Sequence, residues 1–360
     1  MTIHTRRGLI LGAGALAGCA ALPRAAAVPP GPLPAWTKLS TEPFRGKQDD
    51  VFMLPSGVGW YGNGTGKLYK TVDGGASWTK VWDKPGVYIR ALGFQDENVG
   101  YLGNIAGYYP TATDKTSLYL TQDGGMTWTP APAPKGPELQ GVCAIDVLPG
   151  RGGGVRVGGR VGGPAILASS RDGGRTWASQ DLSDLTKMIL DVKFVDARTG
   201  FICGASDADS RKSNPVILKT SDGGATWRQV WRGDRLFEIT WKTAWPTKRT
   251  GYVTIQNYNP DTKVSQRYVA KSVDGGETWA ELPVIDSHPF REFGIGFVDE
   301  NRGWIGGTTT GVETLDGGVT WRPVELGKAV NKIRVLKGRR GLEAYAIGTD
   351  LHKWEAAAKA

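Results

Sequence analysis

Histidine and cysteine are both scarce. The 360 residues hold three of each: His4, His288 and His352, and Cys19, Cys143 and Cys203. Three scattered histidines are a poor supply for imidazole catalysis, and no C-x-x-C or Cys/His zinc spacing occurs. The alternating Asp/Asn-to-Gly pattern of an EF-hand loop is missing as well, so no metal and no cofactor is expected. Charge is spread thin. The chain has 44 Lys and Arg against 35 Asp and Glu, a formal net charge of +9, but no block of five or six like charges. Nucleic-acid binding therefore has no support beyond the high isoelectric point, and a basic surface favouring acidic partners or anionic headgroups is the broader expectation. No apolar stretch is long enough to span a bilayer.

Glycine and tryptophan, by contrast, are abundant, at 52 and 14 residues. They belong to a repeat. Six octets share the form S/T-x-D-G-G-x-S/T-W: TVDGGASW (71–78), TQDGGMTW (121–128), SRDGGRTW (170–177), TSDGGATW (220–227), SVDGGETW (272–279) and TLDGGVTW (314–321). Their aspartates, Asp73, Asp123, Asp172, Asp222, Asp274 and Asp316, recur about every 50 residues, the last gap being shorter. The Gly-Gly pair takes the positive φ of a tight hairpin without steric cost. The Asp carboxylate and the Ser/Thr hydroxyls can bond the backbone of their own turn. The Trp is large enough to pack between sheets. These aspartates are structural by that argument.

Alternating segments such as KLYK, SLYL and VILK precede the octets. Earlier again come GFQDENVGYLGN (93–104), KFVDARTGFICG (193–204) and GFVDENRGWIGG (296–307). Each reads as strand, Asp-containing turn, then Gly–aromatic strand, so a unit holds four short strands and forms one propeller blade. A seventh blade is assembled from both ends: three strands within Ala329–Trp354, and an outer strand from Trp36-Thr37-Lys38-Leu39, which resembles the segment after each octet. The expected fold is all-β, a seven-bladed β-propeller over 36–354 with the N-terminal strand closing the last blade, at about 46 residues per blade. Residues 28–35 read as a Pro-rich tether and 355–360 as a tail.

The first 27 residues read as an export signal. Thr5-Arg6-Arg7-Gly8-Leu9-Ile10-Leu11 resembles a twin-arginine motif and is followed by a short apolar stretch. Leu16-Ala17-Gly18-Cys19 resembles a lipobox, which would lipidate Cys19 and tether the chain to a membrane. Ala25-Ala26-Ala27 resembles an ordinary signal-peptidase site, and both routes stay open. Cys143 and Cys203 lie in apolar strand-like runs, where two buried free thiols are favoured over a disulfide.

The octets resemble those of the BNR/Asp-box repeat superfamily. The Asp-turn-Gly-aromatic segments between them resemble the photosystem II stability/assembly factor family of propellers and its bacterial relatives, and the likeness covers nearly all of 36–354. It implies an exported, sometimes lipid-anchored and non-enzymatic assembly factor that binds a protein partner. The intact octets in six of seven blades are more regular than that family leads one to expect, and no partner-binding residue transfers. Sialidases and xyloglucanase-type glycosidases also carry such boxes. The Phe-Arg-x-Pro signature of sialidases would fall at Phe44-Arg45-Gly46-Lys47, where the proline is missing. Xyloglucanase-type enzymes resemble two propellers face to face. No carboxylate pair flanking one bond stands out, so a glycan-binding or glycoside-hydrolase propeller is the alternative.

Loops opposite the boxes are the expected display surface. Three long ones, Asn104–Thr116, Ser206–Asn214 and Gln256–Gln266, offer Tyr108, Tyr109 and Tyr258, with Asp209, Arg211, Lys212 and Lys263 as charged neighbours. Tyr88, Arg90, Glu238, Arg291 and Lys332 sit early in, or just before, inner strands and are expected near the channel mouth. Plain solvated loops, or an interior ring of ion pairs, would account for the same residues.

Overall fold

A computed structural model describes residues 35–148, 154–339 and 341–356. The leader, Cys19, both cleavage sites and most of the Pro-rich tether lie outside the described residues. The described chain folds as seven four-stranded antiparallel sheets. Blades 1 to 6 occupy 50–83, 89–130, 144–181, 188–232, 238–286 and 295–324. Blade 7 takes three strands from 332–355, and its outer strand is Thr37–Lys38, with Thr37 paired to Lys353 and Lys38 to His352. Each inner strand packs on the inner strands of its two neighbours, and blade 7 packs on blade 1. The chain is a seven-bladed β-propeller closed by its own N-terminal strand. Both Cys143 and Cys203 are buried and free, and burial pushes the Cys203 thiol well above its ordinary range.

The octet makes one hydrogen-bonded corner, repeated six times. In blade 1 the Thr71 hydroxyl donates to Asp73 Oδ1 at 2.7 Å and accepts from the Gly75 amide at 3.0 Å. The Ser77 amide and hydroxyl both donate back to Asp73, at 2.9 and 2.5 Å. The same set recurs around Asp123, Asp172, Asp222, Asp274 and Asp316. Both box glycines lie at φ between +73° and +93°, where a side chain would be strained. The first glycine's amide donates to the turn between the first two strands of its own blade, as Gly74 does to the Gly57 carbonyl at 2.9 Å and Gly223 to that of Arg198 at 2.8 Å. Boxes and first turns therefore share one face of the ring.

Neighbouring blades are joined through the same corner. The second residue of the second strand is large and flat in five blades, Trp60, Tyr101, Phe201, Tyr252 and Trp304, and in blade 7 Tyr345, farther along its longer strand, takes the same place; all are buried. Trp60 stacks on Phe94 of blade 2 at 3.5 Å, Phe201 on Trp245 of blade 5 at 4.0 Å, and Tyr252 on Phe297 of blade 6 at 3.7 Å. In three of them the polar tip then reaches the next blade's box. Trp60 Nε1 donates to the Gly124 carbonyl at 2.9 Å, Tyr252 Oη to that of Gly317 at 3.1 Å and Tyr345 Oη to that of Gly74 at 2.9 Å. Third-strand lysines join in, Lys219 bonding the Gly275 carbonyl and Lys271 that of Gly317, each at 2.7 Å. The box tryptophans close the outer side edge-on, as Trp177 does against Tyr101 at 5.8 Å and Trp227 against Phe194 at 5.9 Å.

Two outcomes follow. Thr121→Val keeps the shape but leaves the buried Gly125 amide unpaired, and chemical denaturation should show a loss of about 1–3 kcal/mol. Acid should act through the carboxylates. The Ser77 hydroxyl and amide and the Thr71 hydroxyl hold Asp73 down to about 2. At Asp123 burial works upward, but the bonds from Thr127 and Thr121 outweigh it and also hold that group at about 2. Because the folded values lie below the unfolded value of about 3.9, this stability is complete above that pH and lost as pH falls from about 4 toward 2. Unfolding midpoints that stayed level across that window would contradict this assignment.

Candidate functional site

The ring leaves an axial channel between the inner strands, and charged side chains fill its middle. Aspartate is disfavoured in strands, yet three inner strands carry one, and each accepts an amide from the following inner strand. Leu92 donates to Asp50 at 2.8 Å, Phe194 to Asp146 at 2.8 Å and Thr243 to Asp191 at 3.1 Å. Cations answer them from across or beside the channel. Arg334 bonds Asp50 as well as the Val51 and Leu92 carbonyls, and Lys193 pairs with Asp146 at 2.8 Å. Lys332 of blade 7 pairs with Asp191 of blade 4 at 3.2 Å, with Lys242 of blade 5 at 3.6 Å from the same oxygen. Burial, reinforced by the Lys332 charge, outweighs Asp191 and depresses the Lys242 ammonium to about 8.

Nearer the loop face lies a second cluster. Asp49, fully buried, pairs with Arg90 and Lys47, both at 2.8 Å. Burial works against its charge, but Arg90 and Lys47 hold its carboxyl below the ordinary range. The Arg90 guanidinium lies 5.0 Å over the Trp241 ring, and the Trp241 indole donates to Asn331 Oδ1 at 3.1 Å. Asn331 returns a bond to the Asp49 carbonyl at 3.0 Å, and Lys47 Nζ sits 5.3 Å over Phe293. These contacts plug the channel.

Above the plug the mouth is aromatic and cationic. Tyr88 packs on Tyr109 at 4.9 Å, and Tyr109 on Tyr108 at 4.9 Å. Arg160 lies 5.7 Å over Tyr108, and Arg291 lies 4.4 Å over Tyr258. Tyr108 and Tyr109 are 39% and 40% exposed, and Arg291 is exposed too, so the cluster faces solvent. Burial, with Arg291 opposing it, pushes the Tyr258 phenol up to about 12, which leaves it a neutral hydrogen-bonding group. Four phenols with guanidinium planes beside them suit an extended segment offering carbonyls, carboxylates or flat apolar groups.

The structure thus brings together Tyr88, Arg90, Tyr108, Tyr109, Tyr258 and Arg291, drawn from blades 2 and 5 and from the connections entering blades 2 and 6. It sets the other residues apart. Lys332 is inside the channel, locked to Asp191. Glu238 is buried, its carboxylate taken up by Arg235 at 2.8 Å and Asn257 at 2.8 Å. Arg211 is exposed and neutralised by Asp209 of its own loop at 2.9 Å, while Lys212 and Lys263 are solvated. Lys47, Asp49, Arg160, Trp241 and Asn331 were not foreseen. A usable signal existed for the aspartates, since an acid inside a strand-like run demands a partner. At the opposite, box-side end, the channel opens into a cavity of about 320 Å³ lined by Ile145, Lys193, Trp245, Phe297, Arg334 and Leu336, among others.

No family model matches the chain. Xyloglucanase Xgh74A of Acetivibrio thermocellus is 28% identical in an alignment 204 positions long that covers 47% of this chain and 23% of that enzyme. Among solved structures, YCF48 from Cyanidioschyzon merolae superposes with a TM-score of 0.64 at 14% identity, covering 89% of this chain and 99% of its own. YCF48 bound to a D1 peptide gives 0.59 at 17%, covering 89% and 97%. The GH74 xyloglucanase of Xanthomonas campestris gives 0.60 at 15%, covering 87% and 54%. The expected structural likeness to YCF48, a photosystem II assembly factor, is therefore present, and so is one to the xyloglucanases. At these identities the shared property is the seven-bladed ring.

The plug yields its own test. Asp49→Ala strands two cations beneath the mouth and should cost about 3–5 kcal/mol in a denaturation curve. Asp209→Ala, whose partner is solvated, should leave the midpoint unchanged.

Proposed function

We propose that this protein is an exported, non-enzymatic propeller that holds a segment of a protein partner across its tyrosine-and-arginine mouth, serving as an assembly or stability factor for a membrane or envelope complex. One observation carries the reading: loops and strand ends from separate blades converge Tyr88, Tyr108, Tyr109 and Tyr258 with Arg160 and Arg291 on one exposed rim. The carboxylate beneath them, Asp49, is buried and neutralised by two cations, a state suited to holding the ring and not to moving protons. A ring of the same fold has been solved with a peptide bound, which supports the mode of binding. Export rests on the twin-arginine motif, and membrane attachment on the lipobox at Cys19.

A second reading is favoured by a specific finding, the 28% identity to a xyloglucanase over nearly half of this chain. Tyrosines also stack on sugar rings, so the same mouth would then hold a glycan.

The two readings part experimentally. The mature chain, immobilised and exposed to membrane extract in mild detergent, should retain a discrete protein complex. Tyr109→Ala combined with Arg291→Gln should weaken retention about tenfold or more, and Arg211→Gln should not. Absence of a complex, together with hydrolysis of xyloglucan or a raised melting temperature across a sugar panel, would replace the first reading with the second.

A further inference from the structure

The axial channel is filled from its loop end to its middle and left open at the box end. The cavity there, of about 320 Å³, is walled by the inner strands of blades 3 to 7. Its walls are of two kinds. Ile145, Ile333, Leu336 and the rings of Trp245 and Phe297 supply apolar surface, while Lys193, Lys332, Arg334 and Lys337 supply charge. Blade 7 shows how one strand delivers both: Lys332, Arg334 and Leu336 lie two residues apart and so share one face of it.

The carboxylates of the channel's middle are fully engaged. Asp146 accepts the Phe194 amide and Lys193, Asp191 the Thr243 amide and Lys332, and Asp50 the Leu92 amide and Arg334. Their cations keep donors in reserve. Lys193 and Lys332 each spend a single ammonium hydrogen on their aspartate. Arg334 spends Nε and one Nη on Asp50 and on the Val51 and Leu92 carbonyls, and its other Nη meets no partner among the described residues. Lys337 is exposed at the cavity rim and pairs with no acid among the described residues. Lys242 stands behind Asp191, sharing its oxygen with Lys332. The three carboxylates thus face a surplus of cations, each of them placed beside apolar wall.

We propose that this cavity binds a small organic carboxylate with a flat or branched apolar body, its oxygens held by Lys193, Lys332 and Arg334 and its body laid against Phe297, Trp245 and the aliphatic wall. Carboxylate oxygens match spare ammonium and guanidinium hydrogens. An apolar cavity of about 150 Å³ already accepts benzene, so the space here has room for a ring and a carboxylate together. An inorganic anion would leave the apolar wall unused, and a neutral molecule would cover cations without answering them. The plug of Asp49, Lys47 and Arg90 separates this cavity from the tyrosine mouth, and the proposal is independent of the protein-partner reading.

Isothermal titration of the mature protein with benzoate, hexanoate, acetate and benzyl alcohol, at neutral pH and constant ionic strength set by chloride, tests this. Saturable binding of benzoate, hexanoate or both is expected, about tenfold or more tighter than that of acetate, which lacks the body, and of benzyl alcohol, which lacks the charge. Lys193→Gln with Lys337→Gln, which leaves an amide to serve Asp146, should weaken it about tenfold or more. Ala244→Leu, at a half-buried lining position, should do the same by filling the space. Lys80→Gln, on the outer strand of blade 1 and paired with Asp83, should bind as the parent does. No saturable binding of either larger carboxylate, equal affinity for acetate or benzyl alcohol, or affinity unchanged in both the double variant and Ala244→Leu while near-ultraviolet circular dichroism shows them folded, would overturn the proposal.

Discussion

The carbonyl of the first glycine in the box is the point on which four of the blade junctions depend. A propeller blade is a sheet with one edge at the axis and one at the rim, and it has no covalent tie to its neighbour except a single connection. What orients one blade on the next is a hydrogen bond between them, made from the tip of a buried aromatic or lysine to that carbonyl, as Trp60 makes to Gly124 and Tyr345 to Gly74. The bond requires the carbonyl to point sideways, out of its own hairpin. Two consecutive positive-φ glycines turn it that way, and the Asp carboxylate pins the turn. The octet is therefore a joint between sheets as much as a corner within one. That explains why the sequence can be strict at these eight positions while the loops on the other face vary in length.

This dependence also explains what was readable in the chain. Interactions local in sequence leave local signatures, and the box, the hairpin register and the period are all local. The seventh blade was legible for a related reason: Trp36-Thr37-Lys38-Leu39 carries the pattern of an outer strand without its own hairpin, and the C-terminal strands lack that outer edge. The site was legible only in part. Tyr108, Tyr109 and Tyr258 could be picked out as aromatic residues on long loops, but whether three loops converge depends on inner-strand lengths and bulges that no octet encodes. Glu238 and Lys332 were placed by strand position alone. Position did not reveal that Arg235 and Asn257 draw one aside or that Asp191 draws the other inward. Asp49 and Trp241 were missed because Arg90 and Asn331, which tie them into one cluster, are far away in sequence.

The channel shows how a ring tolerates charge at its centre. Seven inner strands meet at an axis too wide for apolar side chains to fill, and buried charges there are costly unless paired and hydrogen-bonded. The solution is layered. Asp50, Asp146 and Asp191 each accept a backbone amide from the following inner strand and a cation besides, so they fix the angular spacing of the blades while neutralising the axis. Asp49 with Lys47 and Arg90, roofed by Trp241, seals the loop end. A sealed loop end turns the mouth above it into a shallow dish and not a tunnel, which suits a ligand lying across the axis better than one threading it.

Three junctions depart from the common joint, and they depart differently; after blade 2, Leu120 stands where a lysine would and the Tyr101 hydroxyl makes no hydrogen bond. Blade 7 has no box, so blade 6 has no glycine carbonyl to reach. There Trp304 donates to Glu313 of its own blade, and Glu313 in turn gathers Arg302 and Arg322. The loss of one acceptor is compensated within the blade by an added acid. Blade 3 faces an intact box in blade 4 and still abandons the joint, replacing ring and lysine by Arg156 and Ser169. A departure forced by structure is compensated by structure, as at blade 6. At blade 3 the arginine keeps the flat contact by laying its guanidinium 4.3 Å over Phe194, so the two sheets still stack where the hydrogen bond is given up.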